Sequence, residues 1–276
     1  MHHVFSAQHP LVLVGFGNMG RALASGWLKA GLPAEALYVA DPFATADSFP
    51  SVPAANFVKG ADALPKGIMA RGVILAVKPQ IMNTILLAVA TITAPTTLII
   101  SIAAGVTLNQ MQKGIGKPAV YVRSMPNTPA AVGAGITGVT ADDISPENQQ
   151  LALDILSATG SAVWIPSETL MNAVTAVSGS GPAYVFHLVE AMAAAGVKEG
   201  LDAKTAMALA RQTVIGAGRL MEDDQATEAA ELRKRVTSPG GTTAAALDVL
   251  MDDSAMTRLL ERAIAAASKR GAELAG

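Results

Sequence analysis

The sequence predicts an α/β chain: a doubly wound, mainly parallel sheet followed by an all-α half. Three observations carry that prediction. Short, wholly apolar runs recur through the first 165 residues and are separated by segments of helix length, the spacing of parallel strands joined by crossovers. The first run leads straight into a glycine-rich turn and then a helical pattern. After Pro166 the strand pattern stops and helices succeed one another. The expected domains are 1–165 and 166–276.

Composition narrows the classes. A chain of 276 residues is long enough to bury two cores, and with 51% apolar and 15% charged residues it is globular rather than disordered. A net charge of -2 offers no footprint for nucleic acid or an anionic membrane. There is no cysteine, so disulfides and thiolate metal sites are excluded, and a cytoplasmic location is expected. Met1 to Pro10 shows no basic-plus-apolar targeting pattern. The most apolar stretch, Ile81 to Ala104, is broken by Asn83, Pro95 and Ser101 and reads as a helix and a strand rather than a membrane span.

Leu11-Val12-Leu13-Val14 is the first buried strand. It runs into Gly15-Phe16-Gly17-Asn18-Met19-Gly20, then Arg21 to Leu28 at helical spacing. Gly15 permits a tight turn, Gly17 lets the backbone approach a pyrophosphate, and Gly20 allows close helix–strand packing. This is the Rossmann arrangement for a dinucleotide seated on a helix N-terminus. A purely structural glycine turn is the competing reading. Against it stands the context, including a second strand, Leu37 to Ala40, that ends in Asp41. An acid there grips a ribose 2′-OH and repels a 2′-phosphate, which alone favours NADH over NADPH. An Asp before Pro42 is equally a turn residue, and Thr45, Ser48 and Lys59 are near enough in sequence to offer phosphate contacts, so both cofactors stay open.

Gly72 to Val77, Leu98 to Ile102 and Ala119 to Arg123 are further strands. Ligands of such sheets bind beyond the strand C-termini. That places Ala76, Val77, Lys78, Pro79, Ala103, Ala104, Met125, Pro126 and Asn127 where a nicotinamide ring extends, although each is also an ordinary loop residue. Gly133 to Val139 and Ser161 to Ile165 read as late edge strands, with a helix from Pro146 to Thr159 between them behind the cap Ser145.

The second half reads as helices over Glu168 to Val177, Tyr184 to Ala195, Ala203 to Met221 capped by Asp202, Ala226 to Val236, Thr243 to Met251 and Ser254 to Leu274. Their Ala- and Gly-rich apolar faces exceed what so short a domain buries alone, and a homo-oligomer is expected. His187 and Glu190 are spaced for a metal or acid/base pair but read more simply as structural. No metal site is expected.

One stretch remains, Val236 to Leu247. Thr237, Ser238, Thr242 and Thr243 crowd around Gly240-Gly241 ahead of an alanine-rich run. Hydroxyls and free amides at a helix start can hold a small carboxylate without Arg or Lys. A capped helix after a tight turn is the bland alternative. With a dinucleotide, such a half-site implies hydride transfer. No Lys lies between Lys117 and Lys198, so the long helix after the sheet lacks the acid/base that a hydroxyacid dehydrogenase needs. A C=N substrate removes that need, because an iminium is already protonated.

In order and spacing, GFGNMG, AVKPQ, SIAAGV, RSMPNTPAAVGAG, TAVSGSGPAY and VTSPGGTTAAAL resemble pyrroline-5-carboxylate reductase, from Leu11 to near the C-terminus. The resemblance implies reduction of 1-pyrroline-5-carboxylate to L-proline with NADPH or NADH, the last step of proline biosynthesis. It also implies a Rossmann domain followed by a helical dimerisation domain, the homodimer often assembled further into a decamer. On it, Ser238, Gly240, Gly241 and Thr242 contact the substrate, and Thr243 bonds its carboxylate and imine region as the catalytic residue. Two departures bear on the cofactor: Ala44 to Arg71 does not align cleanly, leaving Asn56 as the candidate for a cofactor-contacting Asn, and Asp41-Pro42 stands where NADP-preferring members carry small hydroxyl and basic residues. Another cyclic imine, a β-hydroxyacid, or a non-catalytic dinucleotide-binding protein are the competing functions.

Overall fold

The computed structural model describes residues 4–275, with side chains through Leu274. The first three residues of the stretch expected to carry no targeting signal lie outside it, as does residue 276. Within these bounds the chain forms two compact units, one running to Gly179 and including the C-terminal residues from Ala267, the other Ser180–Ala266.

The sheet unit alternates as its apolar runs require. Strand β1 (Leu11–Val14) leads to helix α1 (Asn18–Lys29), then β2 (Leu37–Ala40), β3 (Phe57–Val58) and β4 (Gly72–Leu75). Helix α2 (Met82–Val89), β5 (Leu98–Ser101), α3 (Leu108–Ile115) and β6 (Val120–Met125) follow, then β7 (Gly135–Thr140), α4 (Pro146–Leu156) and β8 (Gly160–Trp164). Ile81 to Ala104 divides into a helix and a strand as expected, and among the described residues no helix is long and apolar enough to cross a membrane.

The eight strands lie in the order β3-β2-β1-β4-β5-β6-β7-β8, parallel except for the β6–β7 pair. Strand order reverses between β1 and β4, on either side of which the chain winds outward. The expectation that residues 133–139 form an edge strand is corrected: β7 pairs with both β6 and β8 and lies inside the sheet, while β3 and β8 are the edges. Strand β3 escaped the sequence reading, because two residues carry no alternation of their own and are drawn out only by pairing with Val39 and Ala40.

Both faces of the sheet are covered. Leu13, Leu37, Ile74 and Ile100 pack with Leu23, Trp27 and Ile155 on one side, and Val12, Val73 and Ile99 with Leu86, Val89 and Met111 on the other. The Trp27 indole N–H donates to the Ile155 carbonyl at 2.7 Å, so the largest buried side chain leaves no unpaired donor. Ser145 caps α4 by accepting the Asn148 N–H, as expected, and α4 ends in a 3-10 turn over Ser157–Thr159.

The end of the sheet at Trp164 falls next to the expected 165/166 boundary, whereas the compact unit continues through α5 (Met171–Val174) and a π-helical turn at Thr175–Gly179. The second unit is helical: α6 (Gly181–Lys198), α7 (Ala203–Asp223), α8 (Ala229–Arg235), α9 (Thr242–Met251) and the start of α10 (Ala255–Ala275). Asp202 caps α7 through the Lys204 and Thr205 amides. Its buried cluster consists of Ala193, Ala206 and Ala210, and large apolar residues such as Phe186, Leu209, Val249 and Leu259 remain exposed.

Candidate functional site

The first set of candidate residues lies along the C-terminal edge of the parallel strands, around the point where strand order reverses. Gly15 leaves β1 with φ +94°, a conformation that L side chains avoid, and a Cβ there would stand 2.6 Å from the Ala76 carbonyl oxygen. A Cβ on Gly20 would meet the Gly15 carbonyl oxygen at 2.5 Å, so α1 rests against the turn with no room for a methyl group. Gly17 differs. It precedes α1 with no capping side chain, is exposed, and has open space where a Cβ would project. That opening beside uncapped first-turn amides, with Asn18 and Met19 at the helix start, is a cradle an anion fits.

Phe16 turns inward from the same loop. The residue is 5% exposed and its ring meets Phe49 and Phe57 edge-on, with centroids at 5.4 and 6.2 Å, while the Arg21 guanidinium lies over the ring, 4.5 Å from its centroid. Arg21 also donates to the Ser48 carbonyl at 3.0 Å, which ties the segment after β2 to α1.

Asp41 has the backbone contacts of the turn residue that is the second of its two sequence readings. Its Oδ2 accepts the Phe16 N–H at 2.8 Å, and its Oδ1 accepts the Phe43 and Ala44 N–H groups at 2.8 and 3.2 Å. The carboxylate braces backbone on both sides of the turn, so most of its acceptor capacity is engaged before any ribose arrives. Asn56 is corrected outright as a cofactor contact: it is 6% exposed, and its amide nitrogen donates to the Glu35 and Leu37 carbonyls at 3.1 and 2.9 Å. It satisfies the end of a 3-10 turn under β2.

Beyond β4, Ala76 and Val77 are half-buried, and Lys78 and Pro79 are exposed and open the turn into α2. Beyond β5, Ala103 is buried with its N–H on the Ser101 hydroxyl, and Ala104 is exposed. β6 runs two residues further than expected and takes in Met125, whose terminal methyl lies where a Cβ on Gly179 would sit, so the glycine gives it room. Pro126 is buried, and Asn127 accepts the Ile136 N–H at 3.0 Å, which holds the loop against β7.

Sequence reasoning missed the group that ties these two loops together. Glu168 Oε1 accepts from the Arg123 guanidinium at 3.0 Å and from the Leu108 N–H at 2.9 Å, joining the end of β6 to the start of α3. Arg123 is buried, with 7% of its side chain exposed, while Glu168 is half-buried, so the pair is a partly buried charge contact. The two partners lie 45 residues apart, and no local pattern announces them.

The second set of candidates lies in the helical unit. Thr237 donates to the Arg233 carbonyl at 2.7 Å and closes α8. Gly240 takes φ +70°, and the Gly241 N–H returns to the Ser238 carbonyl at 3.1 Å, a tight turn that delivers the chain into α9. Gly241 provides no side-chain cap to the first-turn amides, those of Thr242 and Thr243 among them, at a helix start that also carries two hydroxyl side chains. His187 and Glu190 form an exposed Nδ1–Oε2 contact at 3.0 Å on α6, and among the described residues no cluster could hold a metal ion.

Comparison with known proteins gives the following. Residues 168–274 match the family described as pyrroline-5-carboxylate reductase dimerisation, and residues 10–105 match the family described as NADP oxidoreductase, coenzyme F420-dependent. The pyrroline-5-carboxylate reductase of Haemophilus influenzae is 39% identical over 269 residues, covering 97% of this chain and 98% of that protein. That of Pseudomonas aeruginosa is 41% identical over 272 residues, covering 96% of each. Among solved structures, a pyrroline-5-carboxylate reductase from Coxiella burnetii superposes with a TM-score of 0.87 at 33% identity, over 98% of this chain and 99% of that one. A Plasmodium falciparum pyrroline carboxylate reductase, solved with NADP bound, gives 0.78 at 28% identity over the same shares.

Proposed function

The chain belongs to the pyrroline-5-carboxylate reductase family, and from that premise we propose how its two sets of residues divide the work. The enzyme reduces 1-pyrroline-5-carboxylate to L-proline with NADPH or NADH, the closing step of proline biosynthesis. When bound, the nicotinamide cofactor supplies the hydride that adds to the C=N carbon.

In our reading the Gly15–Gly20 turn and the first amides of α1 hold the pyrophosphate, and the open space over Gly17 is the observation that supports it. Ala76–Pro79, Ala103, Ala104 and Met125–Asn127 line the nicotinamide end. Ser238, Gly240, Gly241 and Thr242 contact the substrate, and Thr243 takes its carboxylate and sets the imine carbon for attack. The uncapped start of α9 carries this assignment: amides and hydroxyls together neutralise a carboxylate without a cation. A protonated imine needs only to be held in place, so positioning is the protein's main contribution.

The same proposal covers domains and assembly. Residues 1–165 form the dinucleotide-binding domain, and 166–276 form the substrate-binding and dimerisation domain of a cytoplasmic homodimer, with assembly of five dimers into a decamer as its extension. The exposed apolar faces of the helical unit support the dimer.

Steady-state kinetics of Thr243→Ala tests the core of this. With a hydrogen bond to a charged group removed, kcat/KM for 1-pyrroline-5-carboxylate is expected to fall about 10- to 100-fold while the melting temperature holds. An unchanged kcat/KM would remove Thr243 from the site.

A further inference from the structure

Resting on the cofactor reading above, we propose that Phe43 is the surface on which the adenine ring stacks, and that Asp41 positions Phe43 and the glycine turn instead of reading the ribose. Phe43 lies just past the C-terminal end of β2, on the β2 side of the point where strand order reverses, the side on which the adenosine half of a dinucleotide sits.

Its backbone is held at Phe43 itself and at both chain neighbours. Asp41 accepts the Phe43 N–H and the next one, Ala44 is buried, and the Lys59 ammonium donates to the Pro42 carbonyl at 2.8 Å. Through Oδ2 the same carboxylate accepts the Phe16 N–H, which ties the loop after β2 to the glycine turn. Yet the Phe43 ring is 91% exposed, while Phe16, Phe49 and Phe57 nearby cluster together. A floppy loop would let such a ring fold back onto apolar surface. A braced loop holds it out, which suits a flat ligand arriving from solvent. Purines stack on aromatic faces without needing any hydrogen-bond readout.

Calorimetry on the full-length enzyme separates the outcomes, with ADP-ribose, its 2′-phosphate and nicotinamide mononucleotide as probes. Phe43→Ala is expected to weaken ADP-ribose binding about 5- to 100-fold, the range for loss of one base–aromatic stack, to leave nicotinamide mononucleotide unchanged, and to be rescued by Phe43→Tyr. Asp41→Asn, which loses the acceptor for one backbone N–H, is expected to weaken ADP-ribose and its 2′-phosphate by the same factor. Unchanged ADP-ribose affinity in Phe43→Ala overturns the stacking role, and leaves the surface to contact with another chain. A shift of Asp41→Asn towards the 2′-phosphate overturns the positioning role, since that is the mark of a carboxylate on the ribose. Wild-type enzyme that reduces 1-pyrroline-5-carboxylate yet binds ADP-ribose independently of Phe43 keeps the reaction and sinks this inference alone. Wild-type enzyme that binds no probe sinks both.

Discussion

In the sheet unit Leu13, Ile74, Ile99 and Ile100 have no exposed surface, while in the helical unit the buried cluster is three alanines and Phe186, Val249 and Leu259 stay open to solvent. The two units draw on similar apolar composition but different geometry. A parallel sheet needs crossovers, and its own crossovers bring the helices that cover both faces. Helices α6 and α7 meet through small residues, which lets their backbones approach and turns the larger side chains outward. The lesson is that the first unit completes its core within one chain and the second is built to complete it with another, in keeping with the dimerisation family that residues 168–274 match.

The largest test of that contrast is Leu259→Glu. On a free surface the change costs within about 0.5 kcal/mol. Covered by a second copy, it buries an unpaired carboxylate, so the mass by light scattering is expected to fall to that of one chain and activity to fall with it. A variant that keeps its mass and melting temperature would place Leu259 outside the interface and break the comparison there. Next comes Leu13→Ala. Loss of a fully buried leucine should cost about 2–5 kcal/mol in denaturant unfolding, with a cost that does not vary with protein concentration. A concentration-dependent cost would mean that the sheet core also leans on assembly.

The smallest effect concerns Asp202. Hydrogen bonds, led by that to the Thr205 side chain, hold its carboxyl below the usual carboxylate range. A folded pKa below the unfolded one stabilises at pH values above the unfolded value, and the contribution is lost as pH falls through the folded one. Asp202→Asn keeps a cap acceptor but does not titrate. Its melting temperature is expected to fall slightly less than that of the wild type between about pH 6 and about pH 3; parallel curves would show that the cap carries no linked proton.

Some of this was legible from residues alone. The strands Leu11–Val14 and Leu37–Ala40 are legible to their ends, because a buried parallel strand is a continuous apolar run with punctuation at its tip. Ser145 and Asp202 are legible as caps, since that chemistry is local to three residues. The segment 44–71 was not legible. It holds a two-residue strand and several 3-10 turns whose shape depends on what they cover, and Phe49 and Phe57 acquire meaning only beneath Phe16.

The sequence by itself determined the layers, the glycine turn, the hydroxyl-rich entry to α9 and the family, because each rests on short-range pattern: periodicity, backbone permissiveness and motif order. Only the tertiary structure decided what the side chains with distant partners or surroundings do. Asp41 faces three backbone amides, Asn56 lies buried under β2, Arg123 meets Glu168 from 45 residues away, and Phe43 stands in solvent while its neighbours are covered. A carboxylate, an amide or an aromatic ring has the same composition in either role. Its partner is set by which distant segments the sheet brings beside it, and no window of sequence contains that information.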